Sequence, residues 1–316
     1  MMYFLLIAGF VLLIKGADFF VEGSSATARR LGIPPIVIGM TIVAMGTSLP
    51  ETSVSVTASL AGKNDLSISN AVGSNIFNLM VVAGLCAILR PLPIRRETLK
   101  RDFPFSVFAA AVLLGFGFFT DRISRTAGVV LLLLFAFFLY IMVSMVNSAL
   151  KSKRSGASHQ SDEDEKELIS SWRCIVYIIG GIAAIAAGGK MVVEGASDIA
   201  RSFGMSDNLI GMTIVALGTS LPELVTSIVA AKKNEIDMAL GNVIGSNVFN
   251  ILFVLGIAAV ISPIGFSVQN SIDTVFLIAS SLMTLLFCLP KKKLLRWHGA
   301  SMVAIYTGYT AYLFLR

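Results

Sequence analysis

Residues 39–51 read GMTIVAMGTSLPE, and residues 211–223 read GMTIVALGTSLPE. Twelve of the thirteen positions are identical. GSNIFN at 73–78 returns as GSNVFN at 245–250, and VEG at 21–23 returns at 193–195. Every pair is 172 residues apart, with no gap between them. A shared offset of this kind is the mark of a tandem duplication, and it dictates architecture before any local propensity is read. The fold has to be two copies of one unit.

That unit is apolar. Hydrophobic residues make up 55% of the chain and charged residues 14%, against about a quarter charged in soluble domains. Crossing the hydrocarbon core takes about 20 mostly apolar residues in a helix. The short alternating strands of a barrel are absent, so the chain reads as an all-α polytopic membrane protein. Ten transmembrane helices are expected near 2–28, 33–60, 66–89, 104–120, 124–149, 171–201, 206–231, 237–261, 272–289 and 295–315. The first repeat then covers 1–150, a linker 151–171 and the second repeat 172–316. Five helices per copy is an odd number, so the second copy enters from the opposite side. The spacing therefore predicts two inverted five-helix repeats, an architecture of secondary transporters with the substrate site where the repeats meet at the midplane.

The net charge of +6 reads as loop charge that sets topology, not as a nucleic-acid surface. Arg29, Arg30, Arg90, Arg95, Arg96, Lys100, Arg101, Lys151, Lys153, Arg154, Lys166, Arg173, Lys232, Lys233, Lys291 to Lys293 and Arg296 fall on one side of the expected spans. The other side holds Lys63, Arg122, Arg125, Arg201 and Arg316. The positive-inside rule puts both termini outside the cell membrane and the central loop in the cytoplasm. The acidic run Asp162–Glu165 in that loop lacks the glycine turn of an EF-hand and reads as a solvated linker. The first apolar run continues past Lys15 as a helix and lacks the basic leader of a cleavable signal. Cys86, Cys174 and Cys288 sit in or beside apolar runs as packing residues. His159 and His298 fall in loops or interfacial ends, away from any cluster.

Glu51 and Glu223 lie deep in expected spans, where a carboxylate is expensive and marks function. The in-span cations Lys15 and Lys190 are expected nearer helix ends, snorkelling or paired with Asp18 or Glu194. Pro50 and Pro222 directly precede the two acids, and Gly46 and Gly218 stand five residues before them. Proline frees a carbonyl about one turn earlier and glycine loosens the same turn. Broken helices are therefore expected around Thr47–Ser48 and Thr219–Ser220. Hydroxyls, freed carbonyls and a carboxylate would converge there, as hard oxygen ligands for Na⁺, Ca²⁺ or Mg²⁺. Asn78 and Asn250 follow Ser74 and Ser246 by four residues, on the same helical face, and add neutral oxygens. Two carboxylates balance one Ca²⁺ or two or more Na⁺, but not both loads together, and that competition is the basis of coupled exchange.

GTSLPE followed by GSNxFN, twice, resembles the α-repeats of the sodium/calcium exchanger branch of the cation/calcium exchanger superfamily, over nearly the whole chain. The resemblance implies that Glu51 and Glu223 are central calcium ligands that also meet sodium. It carries over Thr47, Ser48, Thr219 and Ser220, then Ser74, Asn78, Ser246 and Asn250, and the backbone carbonyls of Ala44 and Ala216. It also implies that the long helices 1 and 6 slide across the rest of the core. Potassium-dependent relatives resemble this pattern with Asp in place of Asn250. Proton-coupled relatives have Asn where Thr47 and Thr219 stand. The chain is thus expected to be a secondary active antiporter exchanging Ca²⁺ for Na⁺ by alternating access. The alternatives are an H⁺/Ca²⁺ antiporter and a K⁺-dependent Na⁺/Ca²⁺ exchanger. No cofactor is expected beyond the transported ions, no partner beyond the bilayer, and one monomer suffices for the site. A channel would place several acids around one continuous pore. An enzyme would show a nucleophile–base set, which the sequence does not offer.

Overall fold

A computed structural model describes residues 2–154, 169–206 and 210–315. The acidic run at 162–165, His159 and most of the central loop lie outside the described residues. The first helix is α1 (Met2–Leu31). Two helices meeting at a 49° bend follow, α2 (Pro35–Thr47) and α3 (Leu49–Leu60). Next come α4 (Asn64–Leu89), α5 (Thr98–Thr120) and α6 (Arg125–Arg154). The second half holds α7 (Ser171–Ser202), the short α8 (Ala216–Gly218) and α9 (Leu221–Lys232). The chain ends with α10 (Ile236–Ile261), α11 (Val268–Cys288) and α12 (Arg296–Leu315). Among the described residues eight helices are long and apolar enough to cross a membrane, or nine if α2 and α3 make one bent span. The segment expected as a tenth span forms α12, which falls outside that set.

The sequence offset reappears in the backbone. α3 and α9 start and stop at repeat-equivalent residues, as do α4 and α10. Each of the latter contains a π-helical turn, Asn78–Val82 in α4 and Asn250–Val254 in α10. Two more π turns, Gly39–Val43 and Gly211–Val215, lead into Ala44 and Ala216. Isolated π turns inside α-helices recur at functional sites because they free carbonyls and turn side chains. These four each abut a candidate ligand, whereas a fifth, Thr98–Asp102 at the start of α5, does not.

Tiny strands tie the halves together, which the apolar pattern does not announce. β1 (Leu92–Pro93) pairs antiparallel with β4 (Lys293–Leu294), and β2 (Arg122–Ile123) with β3 (Ile264–Gly265). Each ladder joins one half to the other.

α1 and α7 pack along each other, and glycines set their distance. A Cβ on Gly188 would lie 2.6 Å from Leu13 N and one on Gly16 2.9 Å from Ile185 N. Gly9 meets Gly188 and Gly16 meets Gly181, so the two helices run antiparallel. Small residues permit this approach, which lipid-embedded helices use in place of a hydrophobic driving force. α4 and α10 are the most enclosed, with 72% and 78% of their most apolar stretches buried, against 33% and 28% for α1 and α7. The centre of the molecule is therefore α4 and α10, flanked by the broken helices.

Candidate ion site

Ser48 and Ser220 occupy the breaks. Each is the N-cap of the following helix, with φ/ψ of −86°/15° and −90°/2°, and neither hydroxyl caps its own helix. The proline after each break lies in the first turn of the new helix, where its missing N–H has no partner to lose. The expectation of a break at these residues holds. The glycines have a further role: a Cβ on Gly218 would collide with Val193 of α7, and one on Gly46 would lie 3.0 Å from Phe20 of α1 and Ile182 of α7. Gly46 and Gly218 admit the α1–α7 pair as well as loosening the turn.

Glu51 and Glu223 follow in the first turns of α3 and α9 and are fully buried. The positive end of each helix dipole favours a carboxylate there. The freed serines cross over. Ser48 Oγ donates to Glu223 Oε1 at 2.7 Å, and Ser220 Oγ lies 3.3 Å from Glu51 Oε1. Ser74 Oγ stands 3.0 Å from Ser220 Oγ and 3.5 Å from Glu51 Oε1. Thr47 Oγ1 and Thr219 Oγ1 each lie 3.3 Å from the carbonyls of Ala44 and Ala216. Ser246, Asn78 and Asn250 are buried in the same interior.

Several of these groups lack partners. Glu51 Oε2, Glu223 Oε2, Ser246 Oγ, Asn78 Oδ1 and Asn250 Oδ1 are buried without a hydrogen bond. Buried polar groups are normally satisfied, so a cluster of orphaned oxygens calls for a ligand. No Lys or Arg pairs with either glutamate among the described residues. Lys190 pairs with Glu194 at 3.8 Å from the middle of α7, not from a helix end. Asp18 is taken by Lys233, not Lys15.

Four asparagines outside the expected site brace it. Asn242 Oδ1 accepts from Thr47, and its Nδ2 donates to Glu223 O and Ser227 Oγ. Asn70 does the same in the other half, with Thr219, Glu51 O and Ser55 Oγ. Asn75 and Asn247 exchange bonds with each other's backbone carbonyls at 3.0 and 3.2 Å. Asn250 Nδ2 donates to Asn75 Oδ1, leaving its own oxygen free. Asn70 and Asn242 share the repeat offset and stand three residues before GSN, a signal that was available in the sequence.

The family "Sodium/calcium exchanger protein" matches residues 1–144 and 174–315. The chain belongs to the sodium/calcium exchanger family. Membership makes it a multi-pass membrane transporter, a cation/calcium antiporter and not an enzyme. Among relatives, it is 41% identical over 313 residues to a putative antiporter, CaxA, of Alkalimonas amylolytica, covering 98% of this chain and 97% of that one. It is 32% identical to the sodium/calcium exchanger MaX1 of Methanosarcina acetivorans, covering 99% and 98%. Among solved structures, the sodium-calcium exchanger NCX_Mj soaked with Na⁺ and Sr²⁺ superposes with a TM-score of 0.85 at 34% identity, covering 98% of both chains.

Proposed function

We propose that this exchanger moves Ca²⁺ against Na⁺ by alternating access at one central site. The site takes Glu51 and Glu223 as its charged ligands. Thr47, Ser48, Ser74, Asn78, Thr219, Ser220, Ser246, Asn250 and the carbonyls of Ala44 and Ala216 supply neutral oxygens. The observation that carries the reading is the pair of fully buried carboxylates, each with an unpartnered oxygen and no basic partner among the described residues. Two negative charges in a dry interior are costly until cations compensate them. One Ca²⁺ does so, and Na⁺ ions do so in its place. The donor set of carboxylate, hydroxyl, amide and carbonyl oxygens suits both hard cations.

The architecture behind this reading is ten helices in two inverted five-helix halves, 1–150 and 172–316, joined by a cytoplasmic linker with both termini outside. The antiparallel packing of the equivalent helices α1 and α7 supports the inversion, as do the two ladders that each pair a strand from one half with a strand from the other. The interior is not symmetric at present. Gly245 and Gly241 of α10 press on Met40 Cα and Ile36 O of α2, each at 2.6 Å from an ideal Cβ, whereas Gly73, the equivalent of Gly245, faces open space. Ala44 is buried and Ala216 exposed. With the proposed orientation, the cytoplasmic side is closed and the outer side open.

The test is ⁴⁵Ca²⁺ uptake into sodium-loaded vesicles carrying the purified protein, diluted into sodium-free buffer. Uptake that needs the outward sodium gradient and ignores a collapsed pH gradient is the expected result. Uptake that ignores sodium and follows an imposed pH gradient would assign proton coupling and overturn the sodium reading.

A further inference from the structure

The same asymmetry has a charged counterpart where α1 meets the turn between α9 and α10. Lys233 Nζ lies 2.7 Å from Asp18 Oδ1 and 3.2 Å from Glu22 Oε2, and donates to Asp18 O as well. Two residues on, Glu235 pairs with Arg29 Nη1 at 2.9 Å and accepts from Ser25 Oγ. Arg29 also donates to Ser25 Oγ at 2.6 Å. One short turn thus holds α1 at four side chains spread over three helical turns. Asn234, in the left-handed region at φ 67°, shapes that turn between the two charged residues.

The duplicated position keeps the shape and loses the charges. The turn between α3 and α4 has Gly62 at φ 70°, so its backbone follows the same path. It carries Ala61 where the other turn has Lys233, and Lys63 where it has Glu235. On α7, Lys190 stands for Asp18, Glu194 for Glu22, Ser197 for Ser25 and Arg201 for Arg29. Lys190 and Arg201 pair within their own helix, with Glu194 and Asp198. Ser197 Oγ is buried without a hydrogen bond. If α7 took the place against its turn that α1 takes now, Arg201 would meet Lys63, a like charge, and Glu194 would meet Ala61. The mirror-image contact therefore cannot form.

We propose that the ion-pair clamp between α1 and the α9–α10 turn biases this exchanger toward the conformation closed on the α2 face, making its two access states unequal. The proposal rests on the inverted-repeat reading above. It assigns Asp18, Glu22, Arg29, Lys233 and Glu235 to conformational balance, away from the ion site. Each pair is partly exposed, so each adds only a modest bias. Set against a near-degenerate pair of states, a modest bias decides which one is populated.

Hydrogen–deuterium exchange on the full chain in lipid nanodiscs, without Ca²⁺, tests the clamp. The readout is exchange in Gly39–Val43 against exchange in the equivalent Gly211–Val215. In the wild type the first is expected to be slow and the second fast. E235R and K233Q should each speed the first and slow the second, moving their ratio by about two- to fivefold. The swap R29E/E235R rebuilds the pair with reversed sign and should restore the wild-type ratio. An unchanged ratio in the single variants overturns the proposal. So does a rise in both segments together, which is loosened packing and not a population shift, and so does failure of the swap to restore. The vesicle assay on the wild type stands apart from these outcomes: sodium-driven uptake with an unmoved exchange ratio removes the clamp and leaves the exchanger, while absent sodium-driven uptake removes the exchanger itself.

Discussion

Ser48 Oγ donates to Glu223 Oε1 at 2.7 Å, while its repeat equivalent, Ser220, lies 3.3 Å from Glu51 Oε1. Each serine caps the start of one helix yet spends its hydroxyl on the carboxylate of the other half. The helix break of one repeat is thereby fixed to the buried carboxylate of the other. Hydrogen bonds to charged groups contribute about 1.5–3 kcal/mol. Ser48→Ala is expected to raise the Ca²⁺ concentration for half-maximal exchange by about tenfold or more, and Ser220→Ala by less, because its contact is longer. Calcium titration of sodium-dependent uptake checks both. An effect of Ser220→Ala larger than that of Ser48→Ala would contradict the argument.

The two glutamates make a prediction about stability as well as transport. Glu51→Gln and Glu223→Gln each remove one of two buried charges, and the remaining charge no longer balances a divalent ion. Exchange should be lost in both while insertion and monodispersity are kept. An ion that binds only the folded state stabilises it, by about 2.7 kcal/mol at a hundred times its Kd. Calcium should therefore raise the melting temperature of the wild type and leave both variants where they were. Thermal unfolding in detergent with and without Ca²⁺ reads this directly, and a calcium-dependent rise in either variant would mean that its glutamate is not a principal ligand.

The glutamates, the breaks beside them and the serine–asparagine pairs were legible in the sequence for one reason. A duplicated chain marks the positions that both copies retain, and a carboxylate in an apolar run is conspicuous. Which hydroxyl meets which carboxylate was not legible, because spacing reports neighbours within a helix and says nothing of the helix across the contact. The bond from Ser48 to Glu223 spans 175 residues. The same limit hid the bracing by Asn70 and Asn242, whose side chains reach Thr219 and Thr47 of the opposite half. It hid the strand ladders too, since two residues carry no periodicity. The pairing of Asp18 with Lys233 rather than a cation on its own helix is a further instance. The unequal packing of the two halves around the site is a matter of conformation, which the near-identity of the GTSLPE and GSNxFN motifs conceals.

Asn242 and Asn70 make equivalent bonds in unequal surroundings. Asn242 is buried, and Asn70 is only partly so. Truncating Asn242 removes the amide donor to Ser227 Oγ and one contact each from Thr47 and the Glu223 carbonyl in a dry interior, where a buried polar group left unsatisfied costs about 1–3 kcal/mol. Water can reach the partners of Asn70 more readily. Asn242→Ala is expected to lower thermal stability clearly more than Asn70→Ala, with both weakening calcium binding through the hinge they hold. Melting curves of the two variants side by side test the order, and equal losses would mean that the two halves are equally enclosed.

The antiparallel contact of α1 and α7 rests on glycines whose hydrogens leave no room for a methyl group. At Gly188 an added Cβ would lie 2.6 Å from Leu13 N and 2.7 Å from Gly9 O, both backbone atoms that cannot swing aside. At Gly180, eight residues earlier on the same helix, an added Cβ meets nothing within 4 Å. Helix propensity favours alanine over glycine by about 1 kcal/mol at either site, so propensity alone predicts two stabilised variants. Close packing predicts a different outcome at Gly188, where overfilling costs about 1–3 kcal/mol and forces the helices apart. Gly180→Ala should hold or raise the melting temperature with normal exchange. Gly188→Ala should lower it and slow exchange, since a pair pushed apart no longer seats Leu13 against the core. If both variants behave alike, the glycines serve composition and not contact, and the close α1–α7 approach is not what sets the rate.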